Sequence, residues 1–331
     1  MFDQSIISWR RTVLALMVPI GAVAAGCSSG NGIDTANDET TSGTGLPTSE
    51  IPTKFIAETF EFVGLDGDTG SAGNFLVRFA EGGSFEGTVE VVDADTIILV
   101  TDEFPGTDVE INYNSATGFW EWDAGTGNPV QWEVVDRGDL LRLMLVNPGP
   151  SDGFIVTGGF GFETMDMPTT GSAIYSTDSF SQVILRDATA DPSDLNGSLS
   201  VSDGVALNVD FGSGGTVTGS VFKGSGLVDA DNDGDDDDRF STEILLDGTV
   251  SGSRISGTVS GGTTTLDVDD TGNPANVNLD IAASDADGRF YGDGADIVAG
   301  SWEGTFNLND GDPSKPISQG DAIGYFEASM D

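Results

Sequence analysis

An all-β protein of two domains is predicted, an N-terminal antiparallel β-sheet domain followed by an eight-stranded antiparallel β-barrel. Beyond residue 54, apolar residues recur in short runs with polar residues between them, the period-two pattern of a sheet with one wet face. Helical periodicity is scarce, and Gly, Asn and Asp interrupt the runs at the spacing of turns. The folded portion, about 280 residues, exceeds one ordinary antiparallel domain, so two are expected.

The N-terminus reads as an export signal. Arg10 and Arg11 form a basic n-region, residues 13–23 form an apolar stretch too short to span a bilayer, and Ala24-Ala25-Gly26-Cys27 resembles a lipobox with Ala24 where Leu is commonest. Residues 1–26 are therefore predicted to be a lipoprotein signal peptide, with an ordinary cleaved signal or an uncleaved anchor as alternatives. The mature chain then starts at a lipid-modified Cys27, the only cysteine. Acylation consumes its thiol, so it needs no disulfide partner. Acyl chains contribute about 0.8 kcal/mol per buried methylene, enough to hold a protein on a membrane without a spanning helix. Trp9-Arg10-Arg11-Thr12-Val13-Leu14 also resembles a twin-arginine signal, which implies export of a folded chain.

Residues 27–53 are rich in Ser, Gly, Thr, Asn and Asp and nearly devoid of large apolar groups, the composition of a flexible tether with a reach of about 25–30 Å. The formal net charge is −43, from 55 acidic and 12 basic residues. Removing residues 1–26 takes one acid and two arginines with it, leaving 54 and 10. Such a chain repels nucleic acid and anionic membrane surfaces. Asp far outnumbers Glu and Lys is scarce, a balance suited to marine or saline surroundings where salt screens repulsion. Histidine is absent. That excludes Ser-His and Cys-His nucleophile systems, imidazole-based zinc or copper sites, and haem held by His. Carboxylate chemistry or hard-cation binding is left.

In the first domain, residues 54–167, strand-like runs fall at 75–79, 96–101, 109–113, 130–135 and 140–146. The second, residues 168–331, follows turn-rich clusters at 147–153 and 165–171, and its boundary is placed at about 168. Runs at 171–185, 197–201, 205–211, 215–222, 242–250, 253–260, 276–290, 299–308 and 322–328 supply about eight strands. A meander of that size closes readily into a barrel, which removes unpaired edges. The interior of an eight-stranded barrel is filled by side chains or admits one small ligand.

Tyr113, Trp120, Trp122 and Trp132 form an aromatic cluster in the first domain, with Trp120 and Trp122 on one strand face. Exposed, they would make a partner-binding or sugar-stacking platform; a domain with few other large apolar residues needs them in its core. Phe290, Trp302, Phe306 and Phe326 are expected to fill the barrel. Asp229, Asp231 and Asp233 with Gly234 match the first half of an Asp-x-Asp-x-Asp-Gly calcium loop. Phe240 occupies position twelve, so this is not an EF-hand; Asp237 supplies a further carboxylate, as in the thrombospondin-type loops this unit resembles. The plainer reading is a solvated acidic hairpin loop.

Two segments carry a family resemblance. Gly161-Phe-Glu-Thr164 followed by Met167-Pro-Thr-Thr-Gly-Ser-Ala-Ile-Tyr175 resembles the opening of the barrel of transferrin-binding-protein-B-like surface lipoproteins. Gly288-Arg-Phe-Tyr-Gly292, Ala295-Asp-Ile-Val298, residues 300–306 and Gly324-Tyr-Phe-Glu-Ala328 resemble its closing strands, although Asp296 replaces a usual Glu and Gly300 and Gly304 are not adjacent. The resemblance covers about half the chain. It implies an eight-stranded barrel beside a strand-rich handle domain, lipid-anchored and displayed on the outer membrane. An acidic, twin-arginine lipoprotein also suits the outer face of a haloarchaeal cell membrane.

The expected function is a non-catalytic, lipid-anchored surface receptor or binding protein for a protein or small-molecule ligand, reaching the membrane through its N-terminal lipid. No cofactor is expected other than candidate calcium at Asp229, Asp231, Asp233 and Asp237. The alternatives are a calcium-stabilised adhesion protein and a carboxylate-dependent hydrolase, although no acid and base pair stands out among the 55 acids.

Overall fold

The computed structural model describes residues 47–68, 83–100, 109–122, 129–147, 154–187, 197–228, 238–267, 272–314 and 316–331. Cys27, the run at 75–79 and the acidic segment at 229–237 lie outside the described residues. The described strands are β1 (Thr59–Asp68), β2 (Gly83–Asp93), β3 (Thr96–Val100), β4 (Val109–Asn114), β5 (Phe119–Trp122), β6 (Val130–Asp136), β7 (Leu140–Asn147), β8 (Phe154–Gly161), β9 (Ser172–Asp187), β10 (Gly197–Ser202), β11 (Ala206–Asp210), β12 (Thr216–Val228), β13 (Asp238–Ser251), β14 (Arg254–Asp267), β15 (Ala275–Tyr291), β16 (Ile297–Asn309) and β17 (Ser318–Met330). The only helix among the described residues is a single 3-10 turn, Thr53–Phe55. No described helix is long and apolar enough to cross a membrane.

These strands make two antiparallel sheets. The first runs β1 to β8 in order and closes, β1 pairing with β8 from Val63–Gly159 to Asp68–Phe154. Closure of this domain into a barrel of its own goes beyond the antiparallel sheet that the run pattern suggests and the handle domain that the resemblance implies. β1 holds two glycines and two aspartates and β8 three glycines, which weakens their strand signal. The second sheet has order β10-β9-β11-β12-β13-β14-β15-β16-β17, and β17 pairs back onto β9. β10 and β11 share one edge of β9, β10 against Phe180–Leu185 and β11 against Ser172–Tyr175. They behave as one strand broken at Asp203, whose φ is +60° and whose N–H donates to Ser179 O at 3.0 Å. The ring from β9 through β11 to β17 is thus an eight-position barrel, as predicted.

Both interiors are packed. In the first, Trp120, Trp122 and Trp132 join Phe60, Phe62, Ile97, Ile111 and Leu143 in one core, with Tyr113 half-buried against Trp120. In the second, Phe290, Trp302, Phe306 and Phe326 sit in a continuous core with Tyr175, Phe222 and Phe240. These aromatics fill the barrels rather than line an exposed platform.

The Gly-x-Phe pattern near the C-terminus has a specific physical cause. The antiparallel register places Gly300 opposite Phe326 and Trp302 opposite Gly324. Each ring lies across the glycine of the other strand, and a methyl group on either glycine would overlap it. The pattern is therefore two reciprocal large-small pairs, interlocked across β16 and β17.

Candidate functional site

Among the described residues, a buried arginine and a buried glutamate meet between the barrels. The reason lies in strands that are apolar on both faces. On β7, Leu141, Leu143 and Leu145 point into the first core, while Leu140 and Met144 belong to a separate cluster with Phe180, Ile184, Tyr291, Ile297, Ile323 and Tyr325 of the second barrel. On β17, Ala322, Phe326 and Ala328 point inward, and Ile323, Tyr325 and Glu327 point at the first barrel. A strand buried on both faces loses its polar alternation. The run Leu140-Leu-Arg-Leu-Met-Leu and the run Ala322-Ile-Gly-Tyr-Phe-Glu-Ala show this, each holding one isolated charge.

Those charges meet. Arg142 Nη1 donates to Glu327 Oε1 at 2.7 Å, with Arg142 5% and Glu327 0% exposed. Arg137, on the turn before β7, has its Nε 3.5 Å from the same oxygen and donates through Nη2 to Asp178 O. Tyr325 Oη donates to Glu327 Oε2 at 2.8 Å, and the Arg142 guanidinium lies 4.1 Å from the centre of the Phe180 ring. Thr157 of β8 donates to Gln182 Oε1 of β9 at 2.6 Å. Close approach requires glycine on the first barrel: a methyl on Gly159 would lie 2.8 Å from Tyr325 Oη.

The rim of the joint repeats the pairing with polarity reversed. Arg289 and Arg254 of the second barrel reach Glu61 of β1, the latter at 3.2 Å, and Arg289 also reaches Glu163 between the barrels. Ser253 Oγ donates to Glu163 Oε2 at 3.0 Å, and Thr164 Oγ1 donates to Gly292 O at 2.8 Å, so the connecting segment is stitched to the second barrel. The joint thus takes arginines from a chain that has few basic residues.

Electrostatics follow burial. The hydrogen bond and charge of Arg289 hold the Glu61 carboxyl below its ordinary range. Burial pushes the Tyr325 phenol up, reinforced by Glu327, and burial pushes Tyr291 up as well. Burial raises the Glu133 carboxyl against the opposing charge of Arg142. Arg142 and Glu327 meet in direct contact away from water, where each satisfies the other's charge. Among the described residues, no group of three or more acidic or cysteine side chains could hold a metal ion. Of the residues singled out in the sequence, Cys27, Asp229, Asp231, Asp233 and Asp237 lie outside the described residues. Sequence reasoning missed Arg137, Arg142, Arg289, Glu61, Glu163 and Glu327; the lone charges inside apolar runs were the available signal.

Comparison with known proteins gives a family match over the second barrel. The family described as C-lobe and N-lobe beta barrels of Tf-binding protein B matches residues 167–329. No curated protein matches the sequence significantly. Among solved structures, intact Ap-TbpB with its N and C lobes is 13% identical, with a TM-score of 0.42 over 82% of this chain and 46% of that one. A variant of transferrin binding protein B from Haemophilus parasuis, described as a vaccine antigen, is 14% identical, with a TM-score of 0.38 over 75% of this chain and 54% of that one. A protein described as a surface lipoprotein is 13% identical, with a TM-score of 0.31 over 83% of this chain and 99% of that one. The chain spans about half the length of the first two. Through the barrel at residues 167–329, this chain belongs to the transferrin-binding-protein-B-like family.

Proposed function

We propose that the chain is a non-catalytic binding protein of the cell surface, held to the outer membrane by a lipid on Cys27. The observation that carries the reading is a family barrel whose interior is filled by its own aromatic side chains. A filled barrel binds through its outer faces and loops, surfaces suited to a protein ligand. Transferrin is the ligand named for the relatives; here the proposal is a protein ligand, without that identity. The Cys27→Ser variant is expected to leave the membrane fraction and become soluble with an unchanged thermal midpoint. Persistent membrane association of that variant would contradict the anchor.

A second reading, a calcium-stabilised surface protein, is supported by the hairpin flanking the acidic segment. β12 and β13 stay paired out to Val228 and Asp238, the described residues that bracket 229–237, and Asp238 and Asp267 are buried. Calcium at one hundred times its Kd would stabilise the fold by about 2.7 kcal/mol. On this reading calcium raises the melting temperature of the soluble variant, and Asp231→Asn with Asp233→Asn removes the effect. An equal rise in both proteins would count against it.

A further inference from the structure

The segment ahead of β1 is bound to the first barrel. β5 pairs with β6 only across Val130–Trp132, so among the described strands the edge of β6 beyond Trp132 has no partner on that side. Residues 47 and 48 occupy it: Pro47 bridges Val135, and Thr48 N–H donates to Val134 O at 2.8 Å. Trp120 Nε1 donates to Thr48 O at 2.8 Å, tying the segment to the core. The chain then crosses the barrel end, where Ile51 N–H donates to Ala94 O at 2.7 Å, and buries Ile51 and Phe55 in the core at 3% and 0% exposure. Lys54 Nζ lies 2.6 Å from Asp139 Oδ1. Ala57, at φ +63°, turns the chain into β1 while its N–H donates to Val91 O at 2.7 Å.

The end so closed is the one carrying the short connections β2–β3, β4–β5 and β6–β7. Pro47 pairs antiparallel with β6 at Val135 and Thr48 reaches back to Val134, so Pro47 is the strap residue nearer the β6–β7 turn, at that same end. We infer that residues 47–58 form a strap that fixes the tether's exit at the short-turn end of the first barrel, so that the anchored protein presents that end to the lipid surface. This rests on the lipid-anchor reading above. It takes residues 47–53 out of the segment that composition reads as tether, and it makes barrel orientation a consequence of the strap's hydrogen bonds and its two buried apolar side chains.

The test uses the full lipoprotein in vesicles of phosphatidylethanolamine and phosphatidylglycerol containing a headgroup acceptor dye. Acylation of Cys27 leaves an introduced cysteine as the single labelling site. A donor is placed at Ala116→Cys, in the exposed β4–β5 turn at the strap end, or at Val100→Cys, at the opposite end of β3. Strand rise separates the two ends by about 13 Å over four residues. Energy transfer to the lipid is expected to be greater from position 116 than from position 100, and Ile51→Ser with Phe55→Ser is expected to abolish the difference. Equal transfer, or greater transfer from position 100, would overturn the strap's role. That comparison uses an intact strap, so it decides the matter even if the double serine variant fails to fold. Failure of the unlabelled protein to associate with vesicles would instead overturn the anchor reading, and this inference with it.

Discussion

Replacement of Glu327 by leucine is expected to destabilise the protein by about 3–5 kcal/mol, because it leaves two buried guanidinium groups without their carboxylate. Glu327 is fully buried, in contact with Arg142 and Arg137, and accepts a hydrogen bond from Tyr325. Arg142→Met alone strands the carboxylate and is expected to cost a comparable amount. Combining Arg142→Met with Glu327→Leu removes that pair and leaves Arg137 with its hydrogen bond to Asp178 O, so the double variant is expected to recover part of the loss, since an apolar pair of similar volume fits a joint already lined by Leu140, Ile184 and Ile323. Urea denaturation of the four proteins measures the coupling. Additive single effects would contradict a direct buried contact. The effect belongs to the joint between the barrels, so loss of coincidence between transitions followed by different probes is expected in the single variants.

The second large effect is expected inside the second barrel. Trp302→Ala should cost about 3–5 kcal/mol through lost burial and the cavity left behind. Gly324→Ala should cost about 1–3 kcal/mol, because the added methyl meets the Trp302 indole. The two are not independent. With Trp302 already truncated, the methyl at position 324 enters vacated space, so Gly324→Ala should become nearly neutral or stabilising in that background. Thermal or urea unfolding of both single variants and the pair tests this. A full penalty for Gly324→Ala in the Trp302→Ala background would show that the glycine is required by its backbone rather than by the ring facing it.

These two sites also mark what the amino-acid sequence displays and what it conceals. Alternation at residues 96–101, 109–113 and 130–135 locates strands because one face of each is wet and the other packed. The tryptophans are legible as core because few other large side chains are available to fill the first barrel. The Gly-x-Phe pattern is visible, yet its meaning appears only when the register sets Gly300 against Phe326 and Trp302 against Gly324. Glu327 is harder to see. Among 55 acids a single glutamate defaults to the solvated surface, and only its place inside the run Ala322-Ile-Gly-Tyr-Phe-Glu-Ala, apolar on both faces, distinguishes it. Arg142 carries the same mark within its leucine-rich run. What pairs the two is contact between residues 185 positions apart, information that no local pattern contains. The strap was concealed for a different reason: residues 47–53 have the composition of a tether, and only the fold shows Pro47 and Thr48 on the free edge of β6 and Ile51 and Phe55 buried in the core.

Function as a surface binding protein depends on the chemistry of one residue, and the decisive measurement is the mass of the N-terminal peptide of the native protein. A mature chain beginning at Cys27, with its sulfur carrying a diacylglyceryl group, is expected. A free thiol at that position, or a native chain that retains residues 1–26, would contradict the anchor and the surface role built on it.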